Sequence, residues 1–207
     1  MKQLISDQSY NAPKHHKSNK SSFSKDNSFI VHNYPNNNQN GRSEQSKNFY
    51  FVVPLSFEQE LVPNNLGAIV PLTSLTGNSE NICGCFKLLF NKKFSLAKYE
   101  LYVYNATNPN NKIISAHIHS GDTNQTGPIV VTLYSGAPTN VNGLLSKGVI
   151  SNNDITLSAN YKTVATIYAG ILNNNIYVNI HSNGTFNNGT RGNFRDGIIR
   201  GQIFSTF

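Results

Sequence analysis

The chain has 207 residues, of which 38% are hydrophobic and 13% charged, and its formal net charge is +7. A chain of this length holds one domain, or one domain with a tail. Asparagine supplies much of its polarity, with 32 residues, and this residue type favours turns and caps over helix interiors. The composition therefore excludes a coiled coil or a long helical bundle, and no run of apolar residues is long enough to predict a membrane-spanning helix.

The positive charge is spread along the chain. Residues 1–48 contain seven Lys or Arg and three acidic residues, which gives +4, while residues 49–207 contain ten and seven, which gives +3. Neither part has a run of basic residues or the mixture of aromatic and basic residues that is typical of RNA-binding domains. We therefore expect no specific nucleic-acid binding, and the charge is typical of a soluble protein.

Residues 1–47 are predicted to form a disordered polar tail. They are rich in Ser, Asn, Lys and Gln, and their few aromatic residues are isolated. Such a segment cannot bury enough apolar surface to offset the entropy that is lost on ordering. We expect it to act as a tether, spacer or docking arm, with His15 and His16 solvated. No apolar segment follows the first lysine, so no ordinary secretory signal is visible.

The remainder, residues 48–207, is predicted to be a β-domain. Short runs rich in Val, Ile, Tyr and Phe end in clusters of Asn, Gly, Pro or Ser, which is typical of a β-sandwich or barrel. A helical period is visible only around Ile155–Tyr161, where Asp154 can cap one turn. The predicted strands are Phe49–Pro54, Ile69–Leu72, Ile82–Phe90, Lys98–Asn105, Ile113–His119, Ile129–Tyr134, Gly143–Ile150, Thr163–Ala169, Ile176–His181 and Ile198–Phe204.

Two cysteines are separated by one glycine, as Cys83-Gly84-Cys85. This spacing differs from that of zinc knuckles and thioredoxin-like motifs, and no second pair completes a tetrahedral site. A disulfide across a single residue is strained. We expect both cysteines to be small core residues; a crosslink to another chain is the alternative, and metal or redox chemistry is the least favoured interpretation.

Three histidines of the β-domain lie at the ends of two predicted strands. His117 and His119 are two residues apart in one strand, so both rings project from the same face, and His181 shares a face with Asn179 in the other. If the two strands are neighbours, three imidazoles and one amide converge, as in a copper or zinc site. Asp122 is close enough in sequence to orient one of these rings.

The alternative for these residues is a structural role. A histidine at a strand end can bond a loop carbonyl, Arg200 can hold several carbonyls, and glycines such as Gly121, Gly127 and Gly201 can adopt conformations that other residues resist. Hydrolytic chemistry has less support, because the seven acidic residues of the β-domain show no general acid–base spacing. The sequence also has no nucleophile elbow and no phosphate-binding loop.

Four motifs in the β-domain resemble the CHRD domain, a family named for chordin. In order, they are AHIHSGDTNQTGPIVVTLYSG (116–136), GVI (148–150), IYVNIHSNG (176–184) and GIIRGQIF (197–204). The resemblance covers residues 75–205. It implies an all-β, Greek-key, immunoglobulin-like barrel that is often compared with copper/zinc superoxide dismutase. It also implies a binding or structural module that works outside the cell.

Two departures from the family pattern concern acidic residues. The family usually has a Glu and Pro-Pro near its start, where this chain has Glu80 without prolines, and Ile198 replaces the acidic residue beside Arg200 in G-E-I-R-G-Q. We therefore expect Arg200 to lack its acidic partner. The motif residues that remain, with binding or structural roles, are Gly121, Asp122, Gly127, Asn179, Arg200, Gly201 and Gln202.

The sequence thus predicts a noncatalytic protein that binds a protein partner or itself, displayed on the surface of a cell, spore or virus-like particle. One version is strand addition, in which Phe49–Val53 pairs with a neighbour's open sheet edge; another is a crosslink through Cys83 and Cys85. The alternative is a copper- or zinc-binding oxidoreductase with His117, His119 and His181 as ligands. Superoxide dismutation needs a fuller ligand set, and growth-factor capture is the least favoured role.

Overall fold

The computed structural model of the protein describes residues 49–64, 66–76, 81–156, 160–184 and 196–205, so the predicted tail lies outside the described residues. Strands dominate this part of the chain, and none of its helices is long and apolar enough to cross a membrane. The strands are β1 (Tyr50–Ser56), β2 (Leu61–Pro63), β3 (Ile69–Pro71), β4 (Cys83–Phe90), β5 (Ala97–Ala106), β6 (Ile113–Ser120), β7 (Ile129–Thr139), β8 (Val141–Ile150), β9 (Ile176–Ser182) and β10 (Ile199–Gln202). The helices are α1 (Leu72–Thr76) and α2 (Val164–Leu172), with 3-10 turns at Phe57–Gln59 and Asn152–Asp154.

Eight of these strands form one antiparallel sheet in the order β7-β6-β9-β10-β1-β4-β5-β8. The two end strands, β7 and β8, are separated in sequence by Asn140 alone, so the chain passes directly from one end of the sheet to the other. The sheet must therefore curl until its ends meet, and it is nearly closed into a barrel. β2 and β3 form a separate hairpin. The predicted all-β barrel is confirmed.

Strand β1 lies inside the sheet and not at its edge. Its residues Phe51, Val53 and Leu55 are buried and alternate with outward residues, which is the period-2 pattern of a strand that is packed on one face. β1 pairs with β4 along its whole length and with β10 at Ser56. The version of assembly in which Phe49–Val53 adds to a neighbour's edge is therefore wrong, because this segment is already paired within its own chain.

The predicted strand Thr163–Ala169 is wrong, since most of this segment belongs to helix α2. Its β-branched residues suggested a strand, but the buried residues Val164, Ile167 and Ile171 follow a spacing of three and four residues. The side chain of Thr163 accepts from the N–H of Thr166 and caps the helix. On α2, Tyr168 packs against an aromatic cluster from β1 and β4 and the turn after β4, namely Phe49, Phe51, Phe90 and Phe94.

The prediction that Asp154 caps a turn of helix is also wrong, whereas residues 157–159 of the predicted turn lie outside the described residues. Asp154 ends the preceding 3-10 turn, where its carboxylate accepts from the N–H and hydroxyl of Ser151. Ile155 then forms an isolated bridge with Val131 of β7. Asp154 therefore closes a capping box at the end of β8 and does not begin a helix.

The expectation that both cysteines are core residues is wrong. β4 turns Cys83 and Cys85 to the outer surface, where Cys83 is exposed, Cys85 is partly buried and both thiols are free. Gly84 between them points into the barrel, where an added Cβ would lie 2.7 Å from the carbonyl oxygen of Tyr102. Cys83 is the more accessible of the two thiols. Burial raises the pKa of the Cys85 thiol.

Candidate functional site

Polar side chains cover the outer face where β6, β9 and β10 lie side by side. The register aligns the outward residues of these strands in rows, such as His117 with Asn179 and Arg200. The residues between these rows, such as Ile118 and Val178, point inward and are apolar. The outward face is itself buried under loops, so this side of the barrel carries a second, polar interior. Its members that expose 8% or less are His119, Tyr177, Asn179, His181, Arg200 and Gln202.

The pairing of β6 with β9 brings the three predicted histidines together. The candidate ligand nitrogens of His117, His119 and His181 all lie within 4.8 Å of one another. The ring centroids of His117 and His181 are 5.0 Å apart, and those of His119 and His181 are 6.0 Å apart. The two strands are neighbours as the metal hypothesis required.

Two contacts fix the ring of His119. Its Nδ1 lies 2.9 Å from the carbonyl oxygen of Gly127, and its ring stacks on Tyr177 with centroids 5.0 Å apart and planes 11° apart. A carbonyl only accepts, so Nδ1 carries the proton and Nε2 keeps its lone pair. The ring is therefore oriented by a backbone carbonyl and not by Asp122, whose carboxylate accepts from the N–H of Asn124.

The environment keeps two of the imidazoles neutral. Burial, together with the neighbouring His181 and His119, lowers the pKa of His117 to about 4. Burial also lowers the pKa of His119 to about 4, aided by His181 and Arg200 and opposed by the bond to Gly127. Both rings are thus unprotonated at neutral pH and present nitrogen lone pairs.

Arg200 holds the loop between β6 and β7. Its guanidinium donates to the carbonyl oxygens of Gln125 (2.9 Å) and Asp122, and to the side-chain oxygen of Gln202 at 3.2 Å. The same group lies over the ring of Tyr177, 3.5 Å from its centroid. Arg200, Tyr177 and His119 therefore form one continuous stack under the loop.

Gln202 and Tyr177 fix the two ends of this loop. The amide of Gln202 donates to the carbonyl oxygens of Gly121, Asn174 and Ile176, at 3.1, 2.8 and 3.0 Å. The hydroxyl of Tyr177 accepts from the N–H of Gly127 at 3.1 Å. Gly127 packs directly on the backbone of Ser120, which leaves no room for a Cβ.

Two glycines of the predicted motif meet structural requirements. Gly121 has a φ of +142°, which L side chains rarely adopt, and a Cβ there would lie 3.0 Å from the ring of Tyr177. Gly201 faces the core, where a Cβ would lie 2.5 Å from the carbonyl oxygen of Pro54. These positions shape the backbone around the polar face.

Glu60, from a distant part of the chain, is a buried carboxyl close enough to Arg200 to feel its charge, but among the described residues no ion pair joins the two. Oε1 of Glu60 accepts from the side chain of Asn179 at 3.2 Å and from the N–H of Leu61 at 3.0 Å. Burial raises the pKa of Glu60 to about 8, although the charge of Arg200 favours its ionised form. This carboxyl therefore holds a proton at neutral pH, with Oε2 buried and without a hydrogen-bond partner.

Gly197 makes room for the Glu60 carboxyl. It has a φ of +143°, and a Cβ at this position would lie 2.5 to 2.7 Å from the carboxyl atoms of Glu60. The residue before the Ile198-Ile199-Arg200 strand entry must therefore be glycine. Asp196, immediately before it, carries a charge that opposes the ionisation of Glu60.

A family model for the CHRD domain matches residues 51–203. The chain belongs to the CHRD domain family. No curated protein and no solved structure matches it.

The CHRD match begins at residue 51, earlier than the motif resemblance over residues 75–205 suggested. It therefore includes Glu60-Leu61-Val62-Pro63, a glutamate followed by a proline near the start of the domain. Glu80, which the motif resemblance compared with the family's glutamate, lies outside the described residues. The motif resemblance begins after Glu60, so it did not single out this residue.

Proposed function

We propose that this CHRD domain is a noncatalytic binding and structural protein that associates with a second copy of itself. The observation that supports this is the contrast between the two outer faces of the barrel. The face of β6, β9 and β10 is covered by loops, and its charged and polar groups hold those loops. The face of β1, β4, β5 and β8, here called the open face, is uncovered and carries exposed apolar side chains beside a row of charged ones. CHRD domains are generally protein-interaction modules.

The open face carries exposed apolar and aromatic side chains. Its largest members expose between 39% and 55% of their surface: Tyr50, Val52, Tyr104, Leu144 and Val149. Tyr102 and Tyr104 stack on each other with planes 10° apart, and Lys87 lies over the Tyr102 ring. Several exposed apolar side chains on one face of a sheet are typical of an interaction surface.

The open face carries charges of both signs, so a second copy can present a complementary pattern to it. The register places Val52, Lys87, Glu100 and Lys147 in one row across four strands, so that a negative charge lies between two positive ones. Lys87 and Glu100 are 3.7 Å apart. When two such faces meet about a two-fold axis, each Glu100 can lie against a lysine of the other copy, and the apolar rows on either side pack together.

Self-association is tested by sedimentation velocity over a concentration series under reducing conditions. We expect the wild type to form dimers and the double variant V52K/V149K to remain monomeric, because two added charges oppose burial of the face. L172K, at a residue that is 43% exposed on α2, is the matched control and should dimerise as the wild type does. A monomeric wild type at every concentration contradicts the proposal, and so does a V52K/V149K protein that dimerises normally.

We also propose that the domain works outside the cell, on a cell, spore or virus-like particle surface, where the exposed Cys83 can crosslink to another chain. CHRD domains are typically extracellular. After treatment with a membrane-impermeant reductant that opens any crosslink, a membrane-impermeant maleimide should label the wild type on intact source cells or particles and leave a C83S/C85S variant unlabelled. Labelling that appears only after lysis contradicts the surface location.

The alternative function, a superoxide-dismutase-like oxidoreductase, has one observation in its favour, the three-histidine cluster. Among the described residues this cluster has no fourth imidazole to bridge two metals, and Tyr177 and Arg200 on its other side serve the loop. The cluster supports metal binding more directly than redox turnover.

A further inference from the structure

The outer face opposite the open face holds a set of nitrogen atoms that the loop-holding role does not use. Nδ1 of His117 and Nε2 of His119 are buried and have no hydrogen-bond partner. A buried polar atom that is left without a hydrogen bond destabilises the folded protein. Both atoms lie in the same cluster as the ring of His181, so the cost is concentrated at one point.

We propose that His117, His119 and His181 bind a single copper or zinc ion. Three imidazole nitrogens without a carboxylate or thiolate form a borderline donor set, which suits copper and zinc and not the oxygen-preferring magnesium or calcium. Three protein ligands leave one coordination position for water or an anion. This site goes beyond the proposed self-association and lies on a different face of the barrel.

The protein already supplies the support that a metal-bound histidine needs. A ligating histidine commonly donates its other ring N–H to a carbonyl or carboxylate, which fixes the tautomer and the ring orientation. His119 does so through Nδ1 to Gly127, with Tyr177 stacked on its face. Because Arg200 and Tyr177 hold the loop that carries Gly127, the donor set rests on a fixed frame.

The distances require only side-chain adjustment. Metal–nitrogen bonds of about 2.0–2.1 Å in a tetrahedron place the nitrogens about 3.3 Å apart. The cluster has its ligand atoms within 4.8 Å of one another, so the largest separation closes by about 1.5 Å at most. The three histidines lie on two neighbouring strands with a fixed register. His119 keeps its contacts with Gly127 and Tyr177, and the adjustment is expected in the side-chain torsions of His117 and His181.

The test is equilibrium dialysis of the full chain against Zn²⁺, Cu²⁺ or Mg²⁺, followed by elemental analysis. We expect about one zinc or copper ion per chain, no magnesium, and at least about 100-fold weaker zinc binding in H117A. The matched control is H15A/H16A/H32A, which removes the histidines outside the described residues and should bind as the wild type does. His117 is the partly exposed member of the cluster, so H117A is the ligand variant with the smallest expected effect on folding.

Two further readouts separate lost binding from lost folding. Zinc should raise the melting temperature of the wild type and of the tail variant, and leave that of folded H117A unchanged. The Cu²⁺-loaded wild type should show nitrogen hyperfine splitting in its electron paramagnetic resonance spectrum. Failure of the wild type to bind zinc or copper overturns the proposal, as does binding that survives in H117A and disappears in H15A/H16A/H32A. Sedimentation of the metal-free protein decides self-association separately.

Discussion

Replacing Arg200 with Leu should lower the free energy of unfolding by about 3–5 kcal/mol, because two loop carbonyls lose a charged donor and each such hydrogen bond contributes about 1.5–3 kcal/mol. Arg200 is 1% exposed and holds Asp122, Gln125 and the side chain of Gln202. Leucine fills part of the volume but leaves these oxygens without donors, and it removes the charge that lies over Tyr177. Urea unfolding at neutral pH measures the loss.

The conservative change R200K distinguishes charge from geometry. Lysine keeps the positive charge beside Glu60, but its single ammonium cannot reproduce the planar contact with Tyr177 together with two loop carbonyls. We expect R200K to lose about half as much stability as R200L. K92L, at an exposed lysine in the turn after β4, is the control and should stay within about 0.5 kcal/mol of the wild type. An R200L protein within about 1 kcal/mol of the wild type would show that Arg200 does not hold the loop.

The histidine cluster was partly predictable because the direction of its side chains depends on one local rule. Alternation along a strand places His117 and His119 on the same face of their strand, and it likewise places Asn179 and His181 on the same face of theirs. The step that alternation cannot supply is the pairing of β6 with β9, which lie far apart in sequence. The sequence supported that step only through the similar endings of the two strands, each with histidine followed by serine.

Glu60 was not predicted because its role depends entirely on tertiary structure. It lies 119 residues before Asn179, on a segment whose own pattern gives only a glutamate, two apolar residues and a proline. Its raised pKa comes from burial under neighbouring elements, which no local pattern reports. The expectation for the cysteines failed for a related reason: small, weakly polar residues suggest a core, but the inward place in β4 is taken by Gly84.

Helix α2 shows how residue composition can mislead. Its segment contains several β-branched and aromatic residues, which favour strands in isolation. The buried residues Val164, Ile167 and Ile171 nevertheless have helical spacing, and the cap at Thr163 lies just before them. Tertiary packing of Tyr168 against Phe94, with ring centroids 4.3 Å apart, outweighs the weak intrinsic preference.

The stability of the metal-free protein should fall by about 2 kcal/mol relative to E60Q between about pH 6.5 and pH 8. Glu60 keeps its proton up to about pH 8 in the folded protein, whereas the unfolded chain loses it near pH 4.5. Between these values the folded state binds one more proton, so the stabilisation is complete below pH 4.5 and is lost as the pH rises towards 8. Arg200 opposes the proton and Asp196 favours it.

The comparison with E60Q isolates this carboxyl from every other titrating group. Glutamine matches the shape of protonated Glu60 and can accept from Asn179 and Leu61, but it has no proton to lose. The histidines act with the opposite sign: the folded-state pKa values of His117 and His119, about 4, lie below the ordinary 6.5, so their contribution is complete above pH 6.5 and is lost in acid. They therefore do not affect the stability between about pH 6.5 and pH 8.

Urea unfolding of the wild type, E60Q and the exposed control E58Q, in the presence of a chelator, measures the free energy of unfolding across this window. E58Q should follow the wild type, and a wild type that runs parallel to E60Q across this window would show that Glu60 is ionised in the folded protein.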